Sequence, residues 1–270
     1  MPVTDPPPIL TGKDYSSSSV FTPESLLREA CRQKKLALTP VPAVCVLDPD
    51  GDIVRQLKAA GHARRHDGWA CYHTELYVIE EVSLRFGIVG CAVGASFAVL
   101  VAEELFASGC RSLISITSAG QLLDRQAPPY FILIDRALRD EGTSYHYLPP
   151  SLYSEAPRTI VERLADAFTD LAVPVLRGAT WTTDAPFRET PEAVDAMRQR
   201  NLLAVEMEAA ALYAFAQART KPVICFAHVT NQMGRIEGDF EKGHADGAID
   251  AMAIVVRTVH HLRGEASAVK

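Results

Sequence analysis

Long apolar runs are missing from this chain of 270 residues; nothing in it approaches the roughly eighteen consecutive apolar residues that a membrane span requires. Met1-Pro2-Val3-Thr4-Asp5 lacks the basic and then apolar pattern of a secretory leader, so a cytoplasmic protein with no membrane partner is expected. A surplus of positive charge is missing too. The 27 Lys and Arg are outnumbered by 33 Asp and Glu, and a net charge of −6 offers no field to attract nucleic acid. The six cysteines, Cys31, Cys45, Cys71, Cys91, Cys110 and Cys225, contain no Cys-x-x-Cys pair. Several lie in apolar runs, and they are expected as small core residues, not as disulfide or zinc partners. The dinucleotide fingerprint Gly-x-Gly-x-x-Gly is absent around Gly90 and Gly94. The His- and Arg-rich segment from Gly61 to His73 is expected at the surface, and no metal site is expected.

Apolar mass is plentiful: 48% of the residues are hydrophobic, enough to build the core of one large domain. The expected organisation is an extended segment over residues 1–20, marked by Pro6-Pro7-Pro8 and Ser16-Ser17-Ser18-Ser19, and then a single domain over residues 21–270. Thr22-Pro23-Glu24 supplies a cap, a first-turn proline and a dipole-favoured acid, which predicts a helix to about Gln33. Ala43–Leu47 is a short apolar run that empties into Asp48-Pro49-Asp50-Gly51-Asp52, a buried strand followed by a tight loop. Phe86–Gly90 repeats the pattern. Its loop, Cys91 to Ser96, has small residues that let backbone amides approach a ligand, and Ser96 is expected to cap the next helix. Further strands are expected at Arg111–Ile116, Phe131–Ile134, Val173–Arg177 and Val223–Val229, with helices over 158–169, Pro191–Arg200 and Ala248–Leu262. Thr117-Ser118-Ala119-Gly120 reads as a turn whose hydroxyls suit an anion or a sugar oxygen. Alternating strands and helices predict a largely parallel, twisted sheet covered on both faces.

One stretch stands out chemically. Glu206 and Glu208 flank Met207 just ahead of Ala209–Ala216, a run of small and apolar residues suited to a helix buried on nearly all sides. Carboxylates are seldom buried without partners, and two of them fixed at a helix start suit a polyhydroxyl ligand. An acidic first turn on an ordinary helix explains the pattern equally simply.

Three stretches together resemble the nucleoside phosphorylase family, which contains uridine phosphorylases, hexameric-type purine nucleoside phosphorylases and related nucleosidases. Val205-Glu206-Met207-Glu208-Ala209-Ala210 resembles its ribose-binding motif. Gly94, Glu103-Glu104-Leu105 and Ser118-Ala119-Gly120 resemble its glycine loop, helix and following strand, and Arg139 through Tyr147 is similar to a segment of uridine phosphorylases. The resemblance spans about residues 40–262. It implies a three-layer α/β/α sandwich around a mixed central sheet, assembled as homodimers or as hexamers built from dimers. It also implies no cofactor, a nucleoside substrate, and phosphate as co-substrate giving free base and ribose 1-phosphate.

Carried onto this sequence, the resemblance makes Glu208 the residue that binds the ribose hydroxyls. Met207 packs on the sugar and Glu206 supports its 2′ side, while Phe187 and Arg188 contact the base. Asn231 stands where purine-cleaving relatives place an aspartate, so it can hydrogen-bond the leaving base without delivering a proton. The acceptor site maps to Gly94, Ser115, Thr117, Ser118, Asp50 and Asp52. Here the family arginines are replaced: Ile53 and Ser115 occupy two of their positions and Thr74 a third. Losing a charge-assisted contact costs about 1.5–3 kcal/mol, so phosphate needs replacement cations, for which Arg55, Arg64, Arg65 and Arg188 are available. Three functions stay open at this point: a phosphorylase with a rearranged anion site, a nucleosidase in which Asp50 or Asp52 orients water, and a nucleoside-binding protein without turnover.

Overall fold

The computed structural model describes residues 6–81, 84–233 and 239–263. The first five residues, on which the reading of the N-terminus rests, lie outside them. Strand β1 (Val44–Asp48) is buried at every position, as a strand must be when it has neighbours on both edges and cover on both faces. It pairs in parallel with β4 (Leu84–Gly90) on one side and β5 (Ser112–Gln121) on the other. Beyond β4 the sheet continues antiparallel through β3 (Leu76–Glu81) to a short edge strand, β2 (Ala63–Arg65). On the other side β5 contacts two strands, β9 (Ala204–Glu206) and β10 (Val223–Asn231). Strands β6 (Tyr130–Asp140) and β8 (Val175–Thr183) complete the path from β10 back to β9, and β7 (Tyr153–Glu155) pairs with β6. The mixed sheet therefore curls until β5, β10, β6, β8 and β9 form a closed ring, while β1, β4, β3 and β2 extend from it as an open wing.

Helices cover this sheet in two groups. One group packs α1 (Pro23–Lys34) on α3 (Ala95–Ala107) and α3 on α6 (Ala209–Arg219), and the other packs α2 (Asp52–Ala59) on α7 (Ala248–Arg263). The expected cap is present at α1, where Thr22 Oγ1 accepts the Ser25 amide at 3.2 Å. The same device opens α5 (Pro191–Gln199), with Thr190 Oγ1 accepting from Ala193 N at 3.3 Å. In α6 every residue from Ala209 to Ala216 is buried, because five alanines let the helix approach its neighbours closely. Its one polar side chain there is tied down: Tyr213 Oη donates to the Ile134 carbonyl at 2.6 Å and accepts the Cys225 amide at 3.0 Å, joining α6 to β6 and β10.

Several boundaries differ from the sequence expectation, each for a local reason. Thr117 to Gly120 is not a turn; β5 runs on to Gln121 because β10 and β9 supply partners up to that point. Trp181–Thr183 is strand for the same reason, since β6 and β9 flank it. Ser96 does not cap α3. Gly94 occupies the cap with φ at +89°, a conformation that favours glycine, and Ser96 falls inside the first turn. The helix expected over 158–169 stops at Arg163 as α4 (Arg158–Arg163), after which Ala165 and Ala167 turn back on carbonyls only three residues earlier. Asp52 opens α2, a helix the pattern did not reveal, and β3 was likewise unforeseen. Cys91 is exposed, unlike the other five cysteines. His62 and His66 are four apart, the spacing of a helical metal pair, but the segment between them forms the edge strand β2. Residues 13–15 lie against the Thr143–His146 turn, with Lys13 Nζ 2.9 Å from His146 Nδ1 and Tyr15 Oη donating to Tyr145 O at 3.3 Å, and Pro8–Leu10 forms a single helical turn where an extended segment was expected.

Replacing Tyr213 by Phe keeps the ring and strands two buried backbone groups. We expect a loss of about 1–3 kcal/mol in urea unfolding, with an unchanged denaturant slope.

Candidate functional site

The site is built at the start of α6. Glu206 ends β9, and its parallel neighbour across the ladder is Thr182 of β8, so their side chains share a face. Thr180, two residues earlier, shares that face as well. Both threonine hydroxyls donate to Glu206 Oε1, Thr180 at 3.1 Å and Thr182 more closely. The other oxygen, Oε2, accepts the amides of Glu208 and Ala209, each at 2.7 Å, while Thr182 Oγ1 accepts the Ala210 amide at 2.9 Å. The first amides of α6, which have no partner inside the helix, are thus satisfied by two side chains of the adjoining strands. Burial pushes the Glu206 pKa up, against the pull of these donors.

Glu208 is the cap residue of α6 and is 1% exposed. Its Oε1 accepts the Gly94 amide at 2.6 Å, and its Oε2 accepts the Thr117 hydroxyl at 2.7 Å. Burial, with the Glu206 charge adding to it, lifts its pKa to about 7, although the Gly94 and Thr117 donors oppose the rise. A proton therefore sits within easy reach of a carboxylate that has one oxygen on a glycine loop and the other on β5.

A second acidic group stands nearby. Ser118 follows Thr117 in β5 and points to the opposite face, where its Oγ donates to Asp50 Oδ1 at 3.1 Å. The pairing of β1 with β5 stops at Leu47 opposite Ser115, so β5 runs past the end of β1 and leaves a gap there. Ligands of open α/β sheets bind outside such carboxyl ends. Asp50, Asp52 and Asp48 crowd this gap. Lys242 answers them, with Nζ 3.1 Å from Asp50 Oδ2 and 2.6 Å from Asp52 Oδ2, and Arg55 pairs with Asp52 as well. Asp48 is pushed up to about 7, chiefly by burial, with the Asp50 and Asp52 charges adding to it and the Val54 amide opposing. His228, buried in β10, is held down to about 4 by burial and by the Lys242 charge. The three aspartates and His228, with Thr117, Ser118 and the stretch Asp246 to Ala248, enclose a crevice of about 10 Å³.

The other expected site residues are distributed unevenly. Met207 is partly buried between the two glutamates. Gly94, Thr117, Ser118, Asp50 and Asp52 all meet in the network around Glu208 and the crevice. Asn231 is buried at the end of β10, its Nδ2 donating to Thr230 Oγ1 at 3.2 Å and its Oδ1 accepting the Met233 amide at 2.9 Å. Ser115 is buried in β5 between β1 and β10, and its Oγ has no partner among the described residues. Phe187, fully exposed, and Arg188, also exposed, stand on the Pro186–Arg188 turn, and no described contact joins them to the two carboxylate groups. Arg64 and Arg65 pair with Glu80 and Glu75 on the wing of the sheet, which leaves Arg55 as the one replacement arginine drawn to the crevice. Sequence reasoning missed Lys242 and His228. Neither sits in a motif, and only the fold brings them beside Asp50. Among the described residues no group of three or more His, Cys, Asp or Glu is placed to hold a metal, and no helix is long and apolar enough to cross a membrane.

A family model described as phosphorylase superfamily matches residues 41–260. A guanosine phosphorylase of Halorubrum lacusprofundi is 28% identical over 60% of this chain, and a DeoD-type purine nucleoside phosphorylase of Psychromonas ingrahamii is 24% identical over 55%. Each match spans 64% of the relative's own length. Among solved structures, an AMP nucleosidase from Bacteroides thetaiotaomicron superposes with a TM-score of 0.71 at 16% identity, over 91% of this chain and 100% of that one. A uridine phosphorylase from Vibrio fischeri gives 0.64, also at 16% identity, over 87% and 93%. At that identity the two structures speak to the fold alone.

Two expectations follow from the carboxylates. Glu206→Gln removes the charge and turns one of its two acceptor oxygens into a donor, so either the two amides or the two threonine hydroxyls lose their acceptor, and it is expected to cost about 2–3 kcal/mol in chemical unfolding. For Glu208 the readout is pH. A carboxyl whose pKa rises from 4.5 to about 7 on folding gives its full stabilisation below pH 4.5 and loses it as pH rises through about 7. The stability of the wild type relative to Glu208→Gln should therefore fall across that window, by an amount of order a few kcal/mol, in urea titrations at stepped pH.

Proposed function

This chain belongs to the phosphorylase superfamily, and from that premise we propose that it cleaves the N-glycosidic bond of a ribonucleoside, uridine or a purine nucleoside. The observation that carries the reading is the Glu208 carboxylate, buried at a helix cap and fixed by one amide and one hydroxyl. A ribose offers hydroxyl donors to such a group. As the bond to the base breaks, the sugar becomes oxocarbenium-like, and contacts to an ionised Glu208 strengthen in that state. Met207 packs on the sugar. Glu206 is committed to four protein donors, so its support of the 2′ side comes through holding Glu208. Phe187 and Arg188 contact the base in a closed or assembled form, and Asn231 donates to the leaving base.

Water is the acceptor that the geometry supports best. The crevice holds three carboxylates against two cations already paired with them, and its space is about that of a single water molecule. A phosphate dianion entering there meets cations that are already paired with Asp50 and Asp52. In the hydrolytic reaction the water oxygen bonds to the anomeric carbon, the pair of the glycosidic bond leaves with the base, and Asp50 takes the water proton. Phosphate is the second reading, favoured by the names of the curated relatives and giving ribose 1-phosphate. We further propose a single domain over residues 21–270 preceded by an extended segment, a cytoplasmic location, and assembly as a homodimer or a hexamer built from dimers.

Purified protein incubated with uridine, guanosine, adenosine and inosine, with and without phosphate, and resolved by chromatography tests this. Equal base release without phosphate supports hydrolysis; release that requires phosphate and yields a sugar 1-phosphate supports the second reading. No release, with a ligand-induced rise in melting temperature, leaves a binding protein. Asp50→Asn should lower turnover by about a hundredfold or more in the hydrolytic case, as removal of a general base does.

A further inference from the structure

The crevice holds one group that the hydrolytic reading has not used. His228 lies opposite Ser118 in the parallel ladder of β10 and β5, so the two side chains emerge on the same face, toward Asp50. Its ring is stacked on Phe131 at 4.3 Å with an angle of 5° between the planes. It is 6% exposed, yet its Nε2 has no hydrogen-bond partner among the described residues. A buried nitrogen without a partner costs stability and needs a reason to be kept. The ring lines the crevice together with Asp48, Asp50, Asp52, Thr117 and Ser118.

We propose that His228 is a further catalytic residue of the acceptor site, with Nε2 holding the attacking water against Asp50 while Gly247 seats the ring. Gly247 is fitted to this task. A Cβ there would lie 2.2 Å from His228 Cε1, and the residue has φ at +77°, so only glycine lets this stretch close over the imidazole. Lys242, on the same stretch, ties it to Asp50 and Asp52. The charges facing the ring are Lys242 and Asp50, and the imidazole stays neutral at pH 7. A neutral ring hydrogen-bonds the water without adding charge. The balance is then simple: the water oxygen bonds to the anomeric carbon, the base departs with the bonding pair, Asp50 receives one proton, and His228 keeps its own.

This inference rests on glycosidic cleavage with water as acceptor, and kinetics on the full chain separate the two. His228→Phe keeps the ring and its stacking but removes both nitrogens. We expect kcat to fall at least tenfold with the nucleoside KM within about twofold, while the melting temperature holds or rises because a buried unpartnered nitrogen is gone. A purely structural histidine would show the reverse, with stability and KM moving together. His228→Gln should recover part of the lost kcat. Gly247→Ala, whose methyl displaces the ring, should lower kcat in the same way. A folded His228→Phe protein with wild-type kcat overturns the proposal, and so does a wild-type kcat in Gly247→Ala if the Phe variant fails to fold. Wild type that releases no base, or releases it only with phosphate, overturns the underlying reading and this inference with it; phosphate-independent release untouched by these variants overturns the inference alone.

Discussion

Glu206 is buried with four donors around it, and because two of them are the amides that open α6, one carboxylate fixes both the end of β9 and the direction in which the helix leaves it. Glu208 sits at that junction, so its position depends on the same lock. A charge-assisted hydrogen bond to a backbone amide is short and strong, and two from one oxygen leave little freedom. The supporting threonines are available only because β8 and β9 run in parallel register, with Thr182 directly beside Glu206. The position of Glu208 is therefore inherited from the sheet.

The closed ring of strands serves the same end. By pairing with both β9 and β10, β5 is held straight past the end of β1, and its Thr117 and Ser118 hydroxyls face opposite sides of the sheet. One reaches Glu208 and the other Asp50. Two consecutive residues of a strand thus link Glu208 to the acid-rich crevice, where charge is the deciding quantity. Three aspartates gather in this gap; burial, with the Asp50 and Asp52 charges adding to it, raises Asp48, while the ammonium of Lys242 and the guanidinium of Arg55 pair with Asp52. Those cations are consumed in neutralising their own surroundings. Little positive charge is left to bind an anion, and this separates the crevice from an anion site built on unpaired arginines.

The sequence made the α/β architecture legible because buried strands and capped helices leave strong local traces, as Ala43–Leu47 and Thr22-Pro23-Glu24 illustrate. It failed where pairing partners decide the outcome: Thr117–Gly120 carries turn-forming residues but is held as strand by β9 and β10, and Leu76–Glu81 gave no signal that set it apart. The grouping of Glu206 and Glu208 at the start of an apolar helix was also visible, through their position and through the motif. Their division of labour was not. Both are glutamates in the same short stretch, and only the placement of Thr180, Thr182 and the α6 amides commits one to the scaffold while Thr117 and Gly94 leave the other poised at pH 7.

Sequence alone determined the family, the sheet-and-helix pattern and the placing of Glu206 and Glu208 ahead of an apolar helix, since each is written in residues close together along the chain. Tertiary structure decided what surrounds Asp50. Lys242 and His228 lie far along the chain from Asp50, and neither carries a local signature. They meet it only because β10 pairs beside β5 and the segment after it folds back over the end of β1, and a charge balance in a buried gap depends on distances that sequence order does not contain.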